Sequence, residues 1–296
     1  MKNLRSNAVR DVYNWFVGGL DYVQDPREKG AIADSLFSHF FSLPADQRVL
    51  RARQPMAESL IVSLFKWQRR LNRGEPLQYI TGQAPFLDHV IEVNPSVLIP
   101  RPETESLVLW IREDLPGDGS QSTAGLRMLD VGTGSGCMAI ALASLFRDAK
   151  VFACDKSEQA LYTAKRNAVR NQVEIEFSLC DILSASMDQV GASSLDVLVS
   201  NPPYVRESEK RDMSLHVKGH EPAMALFVPD DDPLIYYEAI CKRAAGWLRP
   251  GGRLYFEINE AMGREMVQLV SSHGFRDVTL RRDIHGRDRH LGARKG

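Results

Sequence analysis

The sequence predicts an α/β fold, a parallel sheet covered by helices, preceded by a small helical bundle. Three observations carry this reading. From Leu126 onward, short β-rich runs (RMLDV, KVFACD, VEIEFSL, LDVLVSN, GRLYFEI and FRDVTL) are separated by helical stretches at 138–146, 158–171, 233–248 and 261–273. Alternation of that kind builds a parallel sheet with helices packed on it. Before residue 83 the apolar residues recur at spacings of three and four, with no strand pattern between them. A glycine-rich turn then joins the first strand of the sheet region to its first helix, as at a nucleotide-type site.

The chain has 296 residues, which against a prior of about 150 residues per domain suggests two domains. Its apolar fraction of 44% and charged fraction of 25% are those of ordinary soluble proteins. No apolar run reaches the ~18 residues that a bilayer span needs. The start, MKNLRSNAVRDVYNW, places Arg10 and Asp11 where a secretory signal would be apolar, so a cytoplasmic location is expected.

In the N-terminal part, Val9, Val12, Tyr13, Phe16 and Leu20 form one stripe and Ile32, Leu36, Phe37 and Phe40 a second. Pro26 and Pro44 fit first-turn positions. Leu60, Ile61, Leu64, Phe65 and Leu71 mark a long helix stopped by Gly74. Residues 1–83 are therefore expected to form a helical domain. Phe86 to Val93 alternates weakly among Pro85, Asn94, Pro95, Pro100 and Pro102, which reads as a hairpin-like linker over 84–98. The α/β domain is expected to occupy 99–296.

Cys137, Cys154, Cys180 and Cys241 lie far apart with no C-x-x-C spacing, so they are expected to be core residues, and no metal site is expected. The formal charge of −1 gives no general attraction to nucleic acid. Arg281, Arg282, Arg287, Arg289, Arg294 and Lys295 crowd the C-terminal end and read as a solvated surface in preference to a docking edge.

Leu129-Asp130-Val131 runs into Gly132, Thr133, Gly134, Ser135 and Gly136 and then the helical CMAIALASLF. Glycines there let a backbone approach a ligand. A dinucleotide fingerprint would place its third small residue at Cys137, and this chain places glycine one position earlier, which weakens a nicotinamide reading. The second strand ends at Asp155, nineteen residues beyond Gly136, where a carboxylate can accept both hydroxyls of a ribose. Together they point to an adenosine-bearing cofactor. Asp181, after the third strand, reads either as an acceptor for the adenine amino group or as a turn aspartate.

The fourth strand, Leu195 to Val199, leads into Ser200-Asn201-Pro202-Pro203-Tyr204 at the carboxyl edge of the sheet, where open α/β folds bind ligands. Pro202 and Pro203 are rigid and lack N–H groups, so their carbonyls can serve as acceptors. Asn201 offers a carboxamide and Tyr204 a flat face. An amide or aromatic amine nitrogen is a poor nucleophile, because its lone pair is delocalised. Acceptors at the Asn201 side-chain oxygen and the Pro202 carbonyl would hold both N–H protons and aim the lone pair at a methyl carbon. Catalysis would then rest on positioning and electrostatics.

With these residues in view, the chain resembles the release factor glutamine methyltransferase (HemK-like) family over nearly its whole length. The matching stretches are EPLQYITG (75–82), LIPRPETE (98–105), Leu129 to Gly136, SNPPYV (200–205), EPAMAL (221–226) and DIHGRDR (283–289). The resemblance implies a Rossmann-like class I methyltransferase with a mostly parallel seven-stranded sheet. It implies S-adenosylmethionine as cofactor and S-adenosylhomocysteine as product. Gly132 to Gly136, Asp155, Asp181, Ile182 and Asn201 are then expected at the cofactor, and Asn201, Pro202, Pro203 and Tyr204 at the substrate amide. The implied substrate is the glutamine of the Gly-Gly-Gln motif in peptide chain release factors, recognised with help from the N-terminal domain. Arg101 and Glu103, in R-P-E-T-E, hint at this branch over ribosomal protein glutamine methylation, and Pro102 also fits a helix start. Ile182 stands where many members carry an aromatic residue, so aliphatic packing would replace stacking. The main rival is an adenine-N6 methyltransferase of nucleic acid, since the same acceptors suit any planar amino group. A monomer that neither binds nucleic acid directly nor enters a membrane is expected.

Overall fold

In the N-terminal stretch the apolar residues spaced three and four apart wind into helices, the longer of which bury one stripe each. The computed structural model describes residues 4–115, 125–184, 187, 190–211 and 219–296. Its first helices are α1 (Val9–Gly18), α2 (Pro26–Phe41), α3 (Ala45–Leu50), α4 (Glu58–Leu71) and α5 (Leu77–Thr81). Asp25 caps α2 by accepting from the Arg27 N–H, with Pro26 at the first helical position. Val12, Phe16, Leu36, Phe37, Leu64 and Leu71 are fully buried in one cluster. Phe40 and Leu60, each 37% exposed, lie at the edge of their stripes, and Phe40 stacks on Trp67 at 4.1 Å between ring centroids. Gln68 is buried and donates from Nε2 to the Phe16 carbonyl at 2.8 Å. Residues up to Gly82, together with Gly219 and His220, form one compact unit.

The second unit opens with an antiparallel hairpin, β1 (Gln83–Phe86) and β2 (His89–Glu92), turned at Leu87 with φ 48°. Then come α6 (Pro102–Asp114), β3 (Arg127–Val131), α7 (Cys137–Leu145), β4 (Lys150–Asp155), α8 (Glu158–Arg170), β5 (Glu176–Leu179) and β6 (Leu195–Ser200). A short parallel pair, β7 (Val205–Arg206) and β8 (Phe227–Val228), precedes α9 (Ile235–Trp247), β9 (Leu248–Glu257), α10 (Gly263–Ser272), β10 (Phe275–Arg282) and β11 (Asp288–Lys295).

Seven strands form the main sheet in the order β10-β11-β9-β6-β3-β4-β5. From β5 to β9 all neighbours are parallel, and β11 lies antiparallel to both β9 and β10. All six residues of β6 are buried, as befits a central strand covered on both faces. The chain moves outward from β3 through β4 to β5 and then returns to the other side of β3 as β6. That reversal opens a crevice beyond the carboxyl ends of β3 and β6, the place where doubly wound sheets bind ligands.

Three details differ from the sequence reading. The VEIEFSL run enters the sheet only from Glu176. Pro44 sits at the cap before α3, outside its first turn. The basic C-terminal end is strand β11, not simply a solvated surface: the Arg289 side chain is only 14% exposed, while Arg281 packs over the Trp110 ring at 4.3 Å. Its alternation was masked by charge, because ion pairs of Arg289 to Glu260 and Asp283 let an arginine sit on a covered strand. All four cysteines are buried and free. Among the described residues no helix is long and apolar enough to cross a membrane.

Candidate active site

The crevice holds a cleft with about 980 Å³ of empty space including its mouth, at the upper end of the ~300–1,000 Å³ of small-molecule sites. One wall is the loop after β3. Gly132 and Gly134 adopt φ of 74° and 55°, and a Cβ on either would meet no atom within 4 Å. Both positions favour glycine for conformation, and both leave the backbone open to a ligand. Gly136 differs. Its φ is 83°, and a Cβ there would come within 3.1 Å of Ala164, so this glycine lets α7 pack against α8. Thr133 and Ser135 line the cleft, but the Thr133 hydroxyl is spent on Asp130 Oδ2 at 2.7 Å.

The second wall is the end of β4. Asp155 accepts the Gly134 N–H through Oδ2 and the Ser157 N–H through Oδ1, each at 2.9 Å. These bonds pin the carboxylate at the rim and leave further lone pairs for hydroxyl donors. Burial raises its pKa, opposed by those two N–H groups. Asp181 also lines the cleft, and its Oδ1 accepts the Leu183 N–H at 3.0 Å, so it is a turn aspartate as well. Ile182 lies beside it, only 7% exposed, with its carbonyl held by Arg243 Nε at 2.9 Å. Tyr236 also lines the cleft and accepts from Lys156 Nζ at 2.9 Å. These features fit an adenosine group: a glycine cradle free of side chains, a fixed carboxylate where a ribose would lie, and a flanking aliphatic and aromatic pair.

The third wall follows β6. Asn201, Pro202 and Pro203 line the cleft together with Thr104 and Arg101 from the start of α6. Asn201 Nδ2 donates to Thr104 Oγ1 at 3.2 Å, and among the described residues its Oδ1 has no protein partner. Tyr204 turns away from the cleft. Its hydroxyl donates to Glu257 Oε1 at 3.1 Å, and burial next to that carboxylate drives its pKa far up. Glu257, at the end of β9, is fully buried and receives the Thr104 hydroxyl at Oε2, 2.7 Å away. Burial raises its pKa, opposed by the hydrogen bonds from Thr104 and Tyr204 and by the charge of Arg289. Arg101 pairs with Glu221, whose side chain is 1% exposed.

Of the residues the sequence singled out, the structure brings Gly132, Thr133, Gly134, Ser135, Asp155, Asp181, Ile182, Asn201, Pro202 and Pro203 around one cleft. Gly136 and Tyr204 stand behind it. Thr104, Glu257, Lys156 and Tyr236 were missed, and so was Asp130, whose carboxyl burial pushes up to about 7. An acid closing a hydrophobic strand, as in GRLYFEI and RMLDV, was the available signal for Glu257 and Asp130. Among the described residues no group of three or more His, Cys, Asp or Glu is placed to hold a metal ion.

Comparison with known proteins identifies the family. Residues 119–218 match the model of the methyltransferase small domain, and residues 22–82 match that of the PrmC N-terminal domain. The release factor glutamine methyltransferase of Bacteroides thetaiotaomicron is 44% identical over 246 residues, covering 81% of this chain and 85% of the relative. That of Flavobacterium psychrophilum is 40% identical over 286 residues, covering 95% and 97%. Among solved structures, the T. thermophilus 16S rRNA methyltransferase in complex with AdoMet and guanosine superposes with a TM-score of 0.52 at 20% identity, over 72% of this chain and 50% of that one. The last likeness speaks for the fold alone.

Proposed function

The chain belongs to the release factor glutamine methyltransferase family, and from that premise we propose that its cleft methylates the side-chain amide nitrogen of the glutamine in the Gly-Gly-Gln motif of peptide chain release factors. The observation that carries the reading is Asn201, which lines the cleft with Nδ2 tied back to Thr104 and Oδ1 left for a ligand. S-adenosylmethionine, when bound, supplies an electrophilic methyl carbon on a sulfonium. Gly132, Thr133, Gly134 and Ser135 would hold it along the loop, Asp155 at the ribose, and Asp181 and Ile182 at the adenine.

Asn201 Oδ1 and the Pro202 carbonyl would accept the two N–H groups of the glutamine amide. Holding both protons in place fixes the plane of the amide and aims the nitrogen along one line of attack, a gain of orientation in place of chemistry. As the new N–C bond forms, positive charge grows on nitrogen, and the same two acceptors stabilise it. The nitrogen then loses one proton to solvent. Tyr204 supports the Asn-Pro-Pro turn from behind through Glu257.

The N-terminal helical domain, 1–83, is assigned to recognition of the release factor, with 84–98 as linker and 99–296 as the catalytic domain. The protein is taken to act in the cytoplasm as a monomer without direct nucleic-acid contact. The test is incubation with methyl-labelled S-adenosylmethionine and three acceptors, a release factor, ribosomal proteins and DNA, followed by peptide mapping. Label on the Gly-Gly-Gln glutamine is expected. Label only on DNA or only on a ribosomal protein would overturn the substrate assignment.

A further inference from the structure

We propose that Thr104 and Glu257 are positioning residues that set which end of the Asn201 carboxamide faces the cleft. The inference rests on the reading of Asn201 as the acceptor for the substrate amide, and it deepens that reading. A carboxamide is nearly symmetric in shape, and rotating it by half a turn exchanges an acceptor for a donor. With Nδ2 toward the cleft, Asn201 would repel the N–H groups it has to hold.

A threonine hydroxyl alone cannot decide between the two states, because it accepts from Nδ2 as readily as it donates to Oδ1. Glu257 decides it. As a carboxylate it only accepts, and its Oε2 lies 2.7 Å from Thr104 Oγ1, so it accepts the hydrogen bond of the one O–H the hydroxyl has. The hydroxyl is left as an acceptor toward Asn201, and only Nδ2 can face it, as observed at 3.2 Å. The other carboxylate oxygen is held by the Tyr204 hydroxyl, and the Glu257 carbonyl accepts from the Tyr237 hydroxyl at 2.8 Å, so the acid cannot swing away. Thr104 is 3% exposed and Glu257 1%, which keeps water from replacing either partner. Such a polarised chain is stronger in a dry site than in solvent.

The relay is tested on the full-length protein with Thr104→Val, Thr104→Ser and Glu257→Gln, alone and in the Asn201→Ala background. Thr104→Val is expected to lower kcat on the release factor about 10-fold, the scale of one lost hydrogen bond, with affinity for S-adenosylhomocysteine unchanged. Thr104→Ser should restore the rate, because it keeps the hydroxyl. In the Asn201→Ala background Thr104→Val should add nothing. A second readout needs no turnover: the Asn201 side-chain NH₂ resonances, assigned by their loss in Asn201→Ala, should shift in Thr104→Val and Glu257→Gln and stay in place in Thr104→Ser. Unchanged resonances in Thr104→Val, or equal losses in the serine and valine variants, would overturn the relay. Shifted resonances in a protein that methylates no glutamine would uphold the relay and refute the substrate reading instead.

Discussion

The guanidinium of Arg101, at the mouth of the cleft, holds the buried carboxylate of Glu221, 120 positions further along the chain. Glu221 Oε2 also accepts the Ile99 N–H at 3.4 Å, so one acid fixes the segment leading into α6. Burial raises its pKa, opposed by Arg101. Arg101→Ala leaves a buried acid unpaired, which is expected to cost about 2 kcal/mol at neutral pH, below the ~3–5 of a wholly buried pair because Arg101 is partly exposed. Without the arginine the folded-state pKa rises further, and stability from a raised acid is lost as pH rises through that pKa. Urea midpoints should therefore show a larger penalty at pH 8 than at pH 5. A penalty equal at both would argue against the pairing.

Asp130 gives a second pH dependence. Its carboxyl is fully buried and pushed up to about 7 against an unfolded value of 3.8, and its Oδ2 accepts the Thr133 hydroxyl at 2.7 Å. The folded state then binds the proton more tightly than the unfolded one. The resulting stability is complete below pH 3.8 and lost as pH rises through about 7. Asp130→Asn keeps an acceptor for the Thr133 hydroxyl and removes the charge. Its stability relative to the wild type should improve between pH 5 and pH 8, by an amount on the order of a few kcal/mol. Thermal melts of the cofactor-free protein across that range would show it, and parallel curves would refute it.

The glycines of the loop separate binding from folding. Gly134→Ala adds a methyl to open space in the cleft at φ 55°, so a stability loss of about 1 kcal/mol is expected from the left-handed backbone. Affinity for S-adenosylmethionine should fall more steeply, because the methyl occupies the cradle. Gly136→Ala meets Ala164 at 3.1 Å with φ 83° and should lower the melting temperature by more than Gly134→Ala. Calorimetric titration and melting of both variants distinguish the roles, and the reverse ranking would be fatal to them.

Asn201→Ala should reduce turnover about 100- to 1,000-fold, the usual cost of removing one group that stabilises transition-state charge. Cofactor affinity should change little, since the proposed binding rests on the loop after β3 and Asp155. Isothermal titration with S-adenosylhomocysteine beside single-turnover methylation gives both numbers. Equal loss of affinity and rate would show that Asn201 serves the cofactor.

Much of the fold was legible because its signals are local. The β3 run, the glycine turn and the α7 helix are contiguous from Arg127 to Leu145, and Asp155 and Asn201 each follow a strand of strong apolar pattern. β11 was harder to see. Its DRHLGARK sequence buries His290, Leu291 and Ala293 between charged neighbours, and ion pairing across the sheet makes those charges tolerable.

By itself, then, the sequence determined the order of elements and the chemical groups at the carboxyl edge, because strand and helix periods, glycine turns and proline positions act over a few residues. Only the tertiary structure decided how those groups are aimed. Thr104 and Glu257 are 153 positions apart, and nothing local to either tells that the hydroxyl donates to the acid while accepting from Asn201. Tyr204, three residues after that asparagine, was read as a face for the substrate and instead points inward, since leaving Oε1 of a buried acid without a donor would be more costly than a tyrosine withdrawn from the cleft. Side-chain direction in a dry site is settled by satisfying every buried polar group at once, and that condition exists only after distant strands have met.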